Sequence, residues 1–157
     1  MELYPIVKWV HILSSTVLFG FGAGTAWYFW NAHLTRDPAT IAGVGRMVVR
    51  ADWIFTGTSG FIQPASGIML AYIAGYSLIE PWLVVSYALY GLAFACWAPV
   101  VGLQIRAQRL AQVASEGGAP LGPDYARTIR LWFGLGWPAF AALLGVFWLM
   151  IAKPALW

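Results

Sequence analysis

Four stretches of this chain, 4–31, 40–74, 82–104 and 128–152, are predominantly apolar. Each is long enough to cover the roughly 30 Å of bilayer hydrocarbon at about 1.5 Å per helical residue. Little remains to face water: 61% of the 157 residues are hydrophobic, 10% are charged and ten are tryptophans. A soluble domain is excluded on that balance. The expected fold is an all-α membrane protein, one domain of four transmembrane helices in an up-down-up-down bundle in contact with the lipid bilayer. The second stretch exceeds one straight crossing, so its amphipathic beginning, 40–52, is expected at or outside the interface.

The basic residues set an orientation. Arg36, Arg46, Arg106, Arg109, Arg127 and Arg130 gather on one side, while Lys8 and Lys153 stand on the other. An excess of Lys and Arg marks the cytoplasmic face, so both termini are expected outside, in a bacterial inner membrane. The first apolar run is too long for a cleaved signal peptide, and the N-terminus is expected to be retained. Segment 105–127 contains SEGGAPLGPD, whose Gly and Pro density reads as a flexible cytoplasmic loop.

Pro64, Pro99 and Pro138 fall inside spans. Each removes a backbone donor and frees the carbonyl four residues earlier, so kinks are expected; these widen a bundle in a way a bound cofactor would use, and the alternative is that prolines are simply commoner in membrane helices. Gly20, Gly22, Gly24, Gly57, Gly60 and Gly67 give small-residue faces for close helix approach, within the bundle or in a homodimer.

Ionisable groups inside a span mark candidate sites, because an unpaired charge in lipid is costly. Lys8 and His11 lie one turn apart, on a stripe continuing through Ser15, Leu18 and Gly22. A neutral imidazole ligates haem iron, small neighbours leave room for a flat macrocycle, and Lys8 can pair with a propionate. The alternative is a histidine bonded to a helix carbonyl, with Lys8 reaching the headgroups. In the second span, Arg46, Arg50, Trp53, Gly60, Gln63 and Gly67 recur at helical spacing and read as one inward side. Asp52 can neutralise a nearby arginine, and Gln63 either donates to a carbonyl freed by Pro64 or reaches a ligand. Met69 has the depth for a second axial ligand or for plain packing. His33 is too far along the helix to share an iron with His11 and reads as interfacial. His11, Lys8, Ser15, Gln63, Met69 and Arg50 are thus the candidate cofactor-binding residues, with His11 as the metal ligand.

Other chemistry is thinly represented. The sequence has no phosphate-binding glycine loop, no HExxH, no CxxC and no paired intramembrane carboxylates. One cysteine, Cys96, excludes a disulfide framework, and the arginines report topology rather than nucleic-acid binding.

Through VKWVHILSSTVLFGFGAGTA, ADWIFTGTSGFIQPASGIMLA and LYGLAFACWAPVVGLQIR the chain resembles an uncharacterised family of small bacterial four-helix membrane proteins. More distantly it resembles the HemJ-type protoporphyrinogen oxidases. That resemblance rests on Lys8-x-x-His11, on Ser66, Gly67 and Leu70, and on Lys153-Pro154. It implies haem b with His11 as an iron ligand, an oxidoreductase role, and a porphyrin or quinone as partner. The sequence departs from that family before the third span, where Glu80, Pro81 and Trp82 stand without a lysine. The expected function is haem b binding with a redox role, and the alternative is a cofactor-free accessory subunit or small transporter.

Overall fold

The computed structural model describes residues 3–157. Its described residues are helical nearly throughout: α1 (Leu3–Leu34), α2 (Pro38–Ala51), a π-helical turn (Asp52–Gly57), α3 (Thr58–Ile73), α4 (Pro81–Glu116) and α5 (Pro123–Ala152). Three of these helices, α1, α4 and α5, are long and apolar enough to cross a membrane. The expected second span is a continuous helical run divided by the π turn, so neither α2 nor α3 alone has that length.

Local chemistry fixes the element ends. Pro38, Pro81 and Pro123 each sit in the first turn of a helix, where proline's fixed φ suits the start and its missing N–H costs nothing. Asp37 caps α2, accepting from the backbone N–H of Ala39 and Thr40. Gly75 and Gly118 turn the chain after α3 and α4 with φ of +76° and +61°. The 105–127 loop contracts accordingly: α4 continues to Glu116, leaving only 117–122 between helices. Residues 105–116 are rich in Ala, Gln and Arg, all good helix formers, and the breakers begin only at Gly117.

The packing divides the bundle into two helix pairs, α1 against α3 and α4 against α5, with α2 bridging α1 and α4. At the arginine-rich end the bridge is tight. A Cβ on Gly45 of α2 would lie 2.9 Å from Gln108 Cβ on α4 and 3.2 Å from Phe29 on α1. Around it Phe29, Ile41, Val48, Ala107, Tyr125 and Ile129 form the larger apolar core. A smaller cluster, Ala71, Trp82, Leu83 and Leu149, closes the opposite end. Between the two clusters the pairs diverge around a cavity of about 560 Å³.

Candidate functional site

Two polar constellations lie within the bundle. The first joins α1 to α3 through His11. Ser66 Oγ donates to its own helix at Ile62 O, 2.7 Å away, and therefore offers a lone pair to His11. His11 Nδ1 is 2.9 Å from that oxygen and carries the imidazole proton. The Gln63 amide donates to His11 Nε2 at 3.1 Å, and Ser14 Oγ donates to Gln63 Oε1. Gly67 makes room for the ring, since a Cβ there would lie 3.1 Å from His11 Cε1. Residues of the first two resemblance motifs thus meet in one contact.

Of the expected cofactor residues, only Gln63 gathers with His11. Lys8 lies over the Tyr4 ring, 5.7 Å from its centroid. Ser15 bonds back to Ile12 O at 2.8 Å, and the serine that enters the network is its neighbour Ser14. Met69 is 46% exposed on the outer side of α3. His33 reaches Tyr125 Oη at 3.1 Å and ties the end of α1 to the start of α5.

The continuous inward stripe expected for the second span is divided by the π turn. One extra residue per turn rotates everything after it by roughly a quarter turn. Arg46 and Arg50 therefore face α4, where they line a groove with Arg109, while Gln63 and Gly67 face α1. Trp53 is exposed and meets Trp97 edge-on at 6.3 Å. Asp52 does not neutralise an arginine: its carboxylate accepts from Thr25 Oγ1 at 2.9 Å and Thr56 Oγ1 at 3.1 Å. Gln63 does not serve the carbonyl freed by Pro64 either. That carbonyl, Gly60 O, accepts from Tyr90 Oη at 2.6 Å.

The second constellation is the cavity; sequence reasoning expected a widened bundle but missed the residues that line it. Its walls include Trp27, Trp30, Phe94, Trp97, Trp132, Phe133, Trp137 and Phe140, and glycines 22, 57, 60 and 136 widen it. Asp52, Thr25, Thr56 and Gln104 make one polar end. Asp52 is 3% exposed, Gln104 2% and Trp132 5%. The Gln104 side chain lies against the Asp52 carboxylate. Gln104 Oε1 and Trp132 Nε1 are both buried without a hydrogen-bond partner. Such orphaned atoms are rare in folded proteins, because each costs about 1–3 kcal/mol, and the two side chains that carry them, Gln104 and Trp132, both line the cavity. The available sequence signal was weak: a carboxyl and a buried glutamine 52 residues apart, in spans whose mutual rotation depends on the π turn.

Of the glycines expected at close contacts within the bundle or in a homodimer, Gly22, Gly57 and Gly60 lie around the cavity and Gly67 under His11. No metal-binding cluster of His, Cys, Asp or Glu occurs among the described residues. No curated protein and no solved structure matches the chain. A family model described as "Predicted integral membrane protein (DUF2269)" matches residues 5–154, nearly the whole length, and the chain belongs to that family.

Proposed function

We propose that this protein is a membrane-embedded binding protein for a quinone-class molecule, held in the cavity between the α1/α3 and α4/α5 pairs. The observation that carries the reading is that two side chains of the lining, Gln104 and Trp132, each hold a buried polar atom without a partner, beside aromatic walls. Once each side chain rotates to present its covered atom, a ring oxygen of a quinone accepts from the Trp132 N–H, a quinol hydroxyl donates to Gln104 Oε1, and the aromatic side chains flank the ring. A porphyrin fits less well: its carboxylates call for cations, and the lining has Asp52 but no Lys or Arg.

In this reading the helical run Pro38–Ile73 supplies a fourth crossing. The arginine-rich end then faces the cytoplasm, as in a bacterial inner membrane, with both termini outside. Haem b at His11 is the reading favoured by the HemJ-type resemblance. The residues do not fit it as arranged. Both ring nitrogens are engaged, by Ser66 and Gln63, and ligation of iron through Nε2 requires the Gln63 amide to leave. The cavity lining contributes no His, Met or Cys.

Quinones quench tryptophan fluorescence, and several tryptophans line the cavity. Titration of the nanodisc-reconstituted protein with a short-chain ubiquinone analogue should give saturable quenching. Gln104→Leu should weaken it by removing the acceptor, and Gly22→Leu should abolish it by filling the cavity. Quenching that is unsaturable, or unchanged in both variants, overturns the reading.

A further inference from the structure

We propose that the groove between α2 and α4 binds the phosphate headgroup of an anionic phospholipid. The groove is about 600 Å³ and lies outside the aromatic cavity. Arg46 and Arg50 stand one turn apart on α2, and Arg109 enters from α4. No carboxylate lines it. Three guanidinium groups at one site repel one another unless an anion joins them, and guanidinium is the side chain best shaped to chelate a phosphate.

Behind the site the two helices pack closely. Gly45 lets α2 approach α4 so closely that a Cβ would meet Gln108, which fixes the spacing of the arginines across the two helices. Gln108 itself is turned along α4 to donate to Gln112 Oε1 at 3.0 Å, so the arginines are the donors that face the groove. The walls favour a lipid over a free anion. Met47, Val49 and Ile105 flank the arginines, and Met47 is exposed. An apolar flank beside a cluster of bases suits a molecule with acyl chains below its phosphate. Basic pockets between helices at the cytoplasmic surface have this chemistry, and the placement at that surface rests on the orientation proposed above.

The full-length protein in mild detergent, offered equal amounts of phosphatidylcholine and diphosphatidylglycerol, is weighed intact by native mass spectrometry. One diphosphatidylglycerol per chain should be retained in preference to phosphatidylcholine. Arg46→Gln and Arg109→Gln should each reduce that retention roughly fivefold. Arg130→Gln, on α5 outside the groove, should leave it unchanged, and it controls for net charge alone. The proposal is overturned by equal retention of the two lipids, by equal loss in Arg130→Gln, or by displacement of the lipid with millimolar inorganic phosphate. The result is independent of quinone quenching, so either reading can fail without the other.

Discussion

Tyr90 Oη donates to Gly60 O across α4 and α3 at 2.6 Å, and that carbonyl is the one Pro64 deprives of its helical partner. A helix carbonyl left bare in lipid is costly, so the tyrosine both compensates the proline and holds the α3 wall of the cavity to α4. Tyr90→Phe should lower stability by about 1–2 kcal/mol in detergent unfolding. Pro64→Ala restores an amide hydrogen at position 64, so in that background Tyr90→Phe should cost roughly 1 kcal/mol less. Strict additivity of the two changes would show that the proline and tyrosine act separately.

The fold class was legible because hydropathy and length report on the solvent directly. Pro123, inside the Gly- and Pro-dense SEGGAPLGPD, was legible as part of a break, and it proves to be a helix start. The site was only partly legible. A helical stripe is read by assuming one constant rotation per residue, and the π turn at Asp52–Gly57 breaks that assumption in the middle of the second span. Arg50 was thereby assigned to the wrong face, and Gln63 kept its inward position without Arg50 beside it. Ser14 was passed over for Ser15 because two adjacent serines differ by about 100° of helical rotation, and only packing against α3 selects between them. The cavity depends on Gln104 and Trp132 from two other helices, a juxtaposition that periodicity within one helix cannot express.

His11 should behave as a structural clasp. His11→Ala leaves Gln63 and Ser66 with unmade bonds in a half-buried setting and should cost about 1–3 kcal/mol. Gln63→Ala should cost a similar amount, and the double variant should be less destabilised than the sum, because both remove the same bond. A reduced-minus-oxidised absorption spectrum of the protein, expressed with ample haem, should show no b-type band. A band present in the wild type and absent in His11→Ala would restore iron ligation as the role of this histidine.

Two glycines should respond oppositely to the same substitution. Gly45→Leu drives a side chain into Gln108 and Phe29 at the three-helix junction and should destabilise by roughly 1–3 kcal/mol or more. Gly22 lines the cavity, and a Cβ built there meets nothing within 4 Å. Gly22→Leu should leave stability unchanged or raise it by about 0.5–1 kcal/mol, through the better helix propensity of leucine. Thermal unfolding of the two variants side by side checks this. A large loss in Gly22→Leu would mean the cavity closes in the folded protein.

The cap of α2 should give stability a dependence on acid. Asp37 Oδ2 accepts from Thr40 Oγ1 at 2.5 Å and Thr40 N at 2.8 Å, and Oδ1 accepts from Ala39 N at 3.4 Å. Chiefly through the Thr40 hydroxyl, these bonds hold the carboxyl below its usual value. A carboxyl depressed in the folded state stabilises that state at pH values above its unfolded pKa of about 4. The contribution is lost as pH falls through the lower folded value. Asp37→Ala should therefore melt below the wild type at neutral pH, and the gap should close as the solution is acidified below about pH 4. Asp37→Asn keeps an acceptor at the cap but has no proton to gain, so its melting difference should not follow the Asp37 titration. Melting temperatures of the three proteins across that range decide the matter: a gap between wild type and Asp37→Ala that stays constant into strong acid would place the cap's effect outside the carboxylate.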